Sequence, residues 1–165
     1  MAAHGTPMLT KGNFKAAVKT IVSAWLLAGT LDITAAGVYY PLTYKITPTD
    51  LLKGIASGIF GKKAFADGIQ MALFGLVTHY FIALIWTTFF FIIFPRIKIL
   101  SINRFITGMI YGIFVWLVMN LIIVPLSNAI HLPLSVSHAL VGVVFLMFCI
   151  GLPVSMIVGK HYSKM

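Results

Sequence analysis

Asp32, His79, Asn120 and His138 are the residues whose types and positions could do chemistry in this chain. Asp32 is one of three carboxylates in 165 residues and sits in the middle of an apolar run, 21–40. An ionisable group at bilayer depth costs about 2.5–3.5 kcal/mol on insertion scales, so a chain keeps one only where it is paired or used. His79 is the one histidine in a stretch without formal charge, between Asp67 and Arg96. Asn120 and His138 lie in a second such stretch, from Phe105 to Gly159.

Each of these groups belongs to a stripe of small residues at helical spacing. Ala28, Asp32, Ala35 and Ala36 share one face, as do Ala72, Gly75, His79 and Ala83. Gly108, Gly112, Trp116 and Asn120 recur at steps of four, and His138 shares a face with Gly142 and Cys149. Small residues mark where helices meet in lipid, so the polar groups are expected to point into a bundle. Gly75, Gly108, Gly112 and Gly142 are the expected close-approach points. The Gly108–Gly112 pair suits either packing within the chain or dimerisation.

At 1.5 Å rise per residue, Asp32 falls roughly 12 Å below the outer end of its helix and His79 roughly 15 Å below the same face. Asn120 comes out near ~10 Å, and His138 only a few Å deep. The expectation is a polar pocket in the outer half of the bilayer. Asp32 would exchange a proton or pair a cation, with His79 as partner, Asn120 as orienting hydrogen bonder and His138 at the gate. The competing reading is a mutually satisfied Asp–His pair that fixes helix register, with Asn120 as interhelical glue. A metal site from two His and one carboxylate has enough ligands but no ligand spacing. A haem between His79 and His138 is a further arrangement that four-helix bundles support. Ser135 and Ser137 lie near His138, but nothing resembles a nucleophile elbow. No motif demands a cofactor.

The elements that must position these groups follow from the charge gaps. The chain is 60% hydrophobic and 9% charged, against about 25% charged in soluble domains. One stretch with Asp32 as its only charge between Lys19 and Lys45, and others free of formal charge, predict four spans, about 18–40, 69–94, 105–126 and 137–158, in a single domain over 1–165. The turn-rich segment 125–133 separates the last two. Continuous apolar runs without alternation argue against a β-barrel. The fold class expected is therefore an all-α four-helix transmembrane bundle. Cys149 can form no internal disulfide and reads as a packing residue.

The formal charge of +9 reads as topology signal and as contact with anionic headgroups, not as a nucleic-acid surface. Eight basic residues, Lys11, Lys15, Lys19, Arg96, Lys98, Arg104, Lys160 and Lys164, share one side. Lys45, Lys53, Lys62 and Lys63 lie on the other. That bias places both termini in the cytoplasm.

Within the first outer loop, Thr47-Pro48-Thr49-Asp50 offers a cap, a proline at the first helical position and an acid in the first turn. Leu51, Leu52, Ile55 and Ile59 follow at helical spacing, and Gly61 closes the segment. This predicts an amphipathic interfacial helix over about 48–60. Its Gly54–Gly58 spacing suggests a close backbone approach. Gly61-Lys62-Lys63 is not a phosphate loop, because Ala56 and Lys63 stand where glycine and a hydroxyl are needed. Phe89, Phe90, Phe91 and Phe94 read as lipid-facing or interfacial aromatics, and Tyr39, Tyr40 and Tyr44 as an outer aromatic belt. Pro153 predicts a kink.

Three stretches also carry a resemblance: Ala28-Gly-Thr-Leu-Asp-Ile33, the segment from Gly54 to Gly68, and Tyr111 to Asn120 leading into Pro125-Leu-Ser127. Over about 20–128 the chain resembles a widespread group of small bacterial inner-membrane proteins related to the YagU-like proteins. The resemblance implies a four-helix protein of the bacterial inner membrane. It supplies no activity, substrate or catalytic residue. The functional classes left open are a small proton-linked transporter or permease, as one chain or as a dimer, a structural or assembly subunit of a membrane complex, and a metal- or haem-dependent membrane enzyme.

Overall fold

The computed structural model describes residues 11–66, 68–130 and 135–164. All regular structure among them is helical. Helix α1 runs Lys11–Tyr44, α2 Pro48–Phe60, α3 Lys63–Ala66 and α4 Ile69–Ile93. Two 3₁₀ turns, Phe94–Arg96 and Lys98–Ser101, lead into α5, Arg104–Val118. The third span continues through a π-helical segment, Met119–Ile123, into α6, Val124–Leu126. The fourth consists of α7, Val136–Phe145, a π-helical segment, Leu146–Gly151, and α8, Leu152–Tyr162.

Four of these stretches are long and apolar enough to cross a membrane: Asn13–Tyr44, Ile69–Arg96, Arg104–Leu126 and Val136–Tyr162. Their outer surfaces are apolar too. Val77, Phe81, Ile85 and Leu140 are each more than half exposed, a surface that suits lipid and not water. The first helix extends beyond the expected 18–40 at both ends, because charge gaps mark apolar depth and not the last helical hydrogen bond. Pro41 lies inside α1, and the helix stops where Lys45 turns to φ 55°.

Local signals set the other helix starts. Thr47 and Asp50 form the reciprocal capping box that begins α2: the Asp50 amide donates to Thr47 Oγ1 at 3.2 Å, and the Thr47 amide to Asp50 Oδ2 at 3.0 Å. The Thr47 hydroxyl also donates to Asp50 Oδ2 at 2.6 Å, and this bond first, with the one from the Thr47 amide, holds the Asp50 carboxyl below its ordinary pKa. Asn103 Oδ1 accepts from the amides of Phe105 and Ile106 and so caps α5. Ser135 caps α7.

Each π-helical segment ends just before a proline, Pro125 or Pro153. A proline in a helix removes an amide donor and crowds the carbonyl four residues back. One wider turn relieves that conflict and shifts the helix face beyond it. The kink expected at Pro153 therefore has its counterpart in the π turn before it.

Small residues draw the spans together in two places. Gly29 of α1 lies against the Tyr80 ring and Ala83 of α4, where an added Cβ would sit 3.1 and 3.4 Å away. Backbone meets backbone between α5 and the fourth span. A Cβ on Gly108 would fall 2.8 Å from Leu152 Cα, and one on Gly112 would overlap Met147 Cα. Gly142 faces the Trp116 indole. By contrast, α4 and α5 meet through large side chains. Tyr111 Oη donates to the Trp86 carbonyl at 2.6 Å, and the Trp86 and Phe114 rings pack edge to face.

One end of the bundle is filled by Phe90, Phe94, Tyr111, Val154 and Val158. Phe90 and Phe94 are 1% and 3% exposed. They belong to this core and are not the lipid-facing aromatics their run suggested. The six consecutive aromatic or apolar positions 89–94 carry no periodicity that separates the two faces.

Candidate functional site

The other end of the bundle is hollow. A cavity of about 280 Å³ lies among all four spans and is lined by Asp32, His79 and Asn120. Its remaining wall is almost wholly apolar, with Tyr40 and Trp86 as its rings. The three polar side chains come from three different spans.

His79 is tethered. Its Nε2 lies 2.9 Å from the Gly29 carbonyl oxygen. A carbonyl cannot donate, so this nitrogen carries the hydrogen, and the neutral ring keeps its lone pair on Nδ1. The same seam is closed by Trp25 Nε1, which donates to the Tyr80 carbonyl at 2.7 Å. Thr30 Oγ1 and Tyr80 Oη are 2.8 Å apart. Asn120 is tethered within its own span, donating through Nδ2 to the Trp116 carbonyl at 3.0 Å. It stands within the first π-helical segment, and π turns recur at functional sites.

Asp32 makes no hydrogen bond among the described residues, and the charge that acts on it is that of His79. The two groups share the cavity without an ion pair. Asp32 is thus held near an imidazole but is not locked to it.

His138 is elsewhere. Its Nδ1 lies 2.8 Å from Ser135 Oγ, and its ring packs between Tyr39 and Tyr44 with centroids 6.4 and 4.9 Å away. Because Ser135 starts α7 only three residues earlier, His138 sits on the first turn and faces the end of α1. It does not line the cavity. His131 and Asp67 lie outside the described residues.

Two wall residues were legible in principle. Tyr40 follows Ala28, Asp32 and Ala36 at steps of four, and Trp86 follows His79 and Ala83 on one helical face. Tyr40 therefore belongs to the cavity and not to an outer belt.

Helix α2 adds Leu51 and Ile55 to the wall. It docks on α4 at Gly75, where a Cβ would overlap the Leu52 carbonyl oxygen. Ala56 and Ser57 are fully buried. Its far end is bonded to the loop after the third span. The Asn128 amide donates to the Gly58 carbonyl at 3.0 Å, and the Ile130 amide to Ser57 Oγ at 3.3 Å. Gly54 has open space around it, and Gly58 meets only the Ser127 side chain at 3.8 Å. The close approach falls to Gly75 instead of the Gly54–Gly58 pair.

Fold and cavity together define an all-helical chain with four helices long and apolar enough to cross a membrane, and a largely apolar cavity among them that Asp32, His79 and Asn120 line. Comparison with known protein families, curated proteins and solved structures gives no match to this chain.

Proposed function

We propose that this chain is a small proton-linked transporter or permease of the bacterial inner membrane, with both termini cytoplasmic. One observation carries the reading: Asp32, His79 and Asn120, from three spans, line a single cavity in an otherwise apolar bundle. Asp32 is the group that binds and releases the proton. His79, with Nε2–H occupied by Gly29, can take a proton only on Nδ1. Asn120 orients the site. The excess of basic residues at the termini and second loop supports the orientation.

On this reading α2 is an amphipathic helix seated at the outer interface, where its apolar residues Leu51 and Ile55 cover the cavity. Anionic headgroups meet the basic segments on the inner side, and two copies pair, since four helices enclose little space. The second reading, a structural or assembly subunit, draws on the tether of His79 in α4 to the Gly29 carbonyl of α1, which is how interhelical glue behaves. A haem between His79 and His138 would need both rings in one cavity, and only His79 lines this one.

Proton flux into liposomes containing the purified protein separates these readings. The transporter reading expects flux driven by an imposed pH gradient, abolished in Asp32→Asn while the folded protein survives. Equal flux in the variant and the parent would refute it. Loss of thermal stability with no flux in either would favour the assembly reading.

A further inference from the structure

Resting on that reading of the cavity, we propose that its ligand is a small organic ammonium cation, bound by Asp32 and flanked by the rings of Tyr40 and Trp86. The charge balance points this way first. Of the 12 Lys and Arg residues in the chain, none lines the cavity, and Asp32 is its one carboxylate. A carboxylate inside an apolar bundle needs a cation, and no lysine or arginine lines this cavity to supply one.

Hydrogen-bonding capacity points the same way. The His79 Nε2–H is spent on Gly29, and an Asn120 Nδ2–H is spent on Trp116. What these residues have left to offer is the His79 Nδ1 lone pair, Asn120 Oδ1 and the second Asn120 Nδ2–H, beside the acceptor-only carboxylate of Asp32. A ligand that brings N–H donors and a positive charge satisfies the acceptors of this set, and the Asp32 carboxylate repels an anion. Tyr40 and Trp86 add ring faces, which attract ligand cations.

Size and wall chemistry narrow the class further. The cavity, about 280 Å³, falls just below the range of about 300–1,000 Å³ typical of small-molecule sites. Its remaining walls suit an apolar body attached to the ammonium group. A bare metal ion fits poorly: among the described residues, no three His, Cys, Asp or Glu side chains are grouped to hold one.

The site also couples the ligand to protons. Titratable groups facing Asp32 are His79 from α4, Tyr40 on its own helix and Cys149 from the fourth span. Helix α2 contributes only Leu51 and Ile55, and the third span contributes the non-titrating Asn120. An ammonium ion at Asp32 and a proton on Asp32 or His79 would neutralise the same charge, so each disfavours the other. Binding of the cation should release a proton to solution, with no other co-reactant.

Benzylammonium and its neutral isostere benzyl alcohol test this on the full chain in lipid nanodiscs, by calorimetry. Benzylammonium is expected to bind at least tenfold more tightly than the alcohol, to release a proton, and to lose that preference in Asp32→Asn. Trp86→Leu is expected to weaken the cation several-fold. Equal affinity of the parent protein for cation and alcohol would overturn the proposal, as would an Asp32→Asn protein that keeps the preference. The comparison of the two ligands on the parent protein stands even if a variant does not fold. Proton flux that needs Asp32, without benzylammonium binding, would sink this proposal and leave the proton reading intact. Cation binding without proton release would sink the coupling instead.

Discussion

Replacing Gly151 or Gly37 by alanine makes the same chemical change with opposite expected sign. At Gly151 the new Cβ would overlap the Gly108 carbonyl oxygen and come within 2.7 Å of Gly112 N. Both atoms are backbone and cannot rotate away. Ordinary contact begins near 3.4 Å, so α5 and the fourth span must part by most of an ångström or more. Overpacking of this kind costs about 1–3 kcal/mol. At roughly 2–4 °C per kcal/mol for a domain of this size, Gly151→Ala should lower the apparent melting temperature by about 2–12 °C. At Gly37 nothing lies within 4 Å of the new Cβ. Only the backbone entropy term remains, and alanine in a helix interior gains about 0.5–1 kcal/mol over glycine. Gly37→Ala should therefore raise the melting temperature by about 1–4 °C. Thermal scans in one detergent, at one scan rate, read both. A Gly151→Ala protein as stable as the parent would refute the backbone contact, and shifts of the same sign in both variants would refute the packing argument.

Further substitutions probe the cap, the tether and the core. Thr47→Ala should cost the start of α2 about 1 kcal/mol, read as faster hydrogen exchange at the Asp50 amide. Since the Asp50 carboxyl titrates below its ordinary value, its contribution to that cap is present above a pH of about 3.9. It is lost as the pH falls through the lowered folded value. The amide resonances of residues 50 and 51 should move together in that acid window and stay still in Asp50→Asn. His79→Phe removes the bond to Gly29, a loss of about 0.6 kcal/mol by the average for interhelical bonds in membranes. The melting temperature should barely change while proton flux disappears; a large stability loss with flux retained would favour the glue reading. Thr87 is fully buried, and its hydroxyl has no hydrogen-bond partner among the described residues. Thr87→Val should leave stability unchanged or raise it by about 1 kcal/mol, and a clear drop would reveal a partner.

The four spans were legible because lipid imposes one rule on long segments: almost no formal charge over the apolar depth, with Asp32 the one exception here. The start of α2 was legible for a different reason, since Thr47, Pro48 and Asp50 act within one turn and need no tertiary partner. Asp32, His79 and Asn120 could be placed at similar depth from helical rise alone, and the cavity brings them together. His138 could not, because two residues of uncertainty at a helix start decide whether a first-turn side chain faces the bundle or the neighbouring helix end. The π turns escaped notice as well. They arise where Pro125 and Pro153 meet the packing of facing spans, and they shift the helical face beyond any fixed spacing. Gly151 lay hidden for the same reason, in the turn where α-helical stripes no longer apply. The burial of Phe90 and Phe94 depends on which face of α4 meets α8, which an unbroken apolar run does not encode.

The protonation state of Asp32 itself is the most direct test of the account. Infrared difference spectra of the protein in lipid, recorded across a pH titration, resolve the carbonyl stretch of a protonated carboxyl group. The account predicts a carboxyl band that is absent in Asp32→Asn and that benzylammonium removes at constant pH as the proton leaves. Difference spectra identical in the parent and Asp32→Asn would contradict it, because Asp32 would then be a fixed structural group and not the site of exchange.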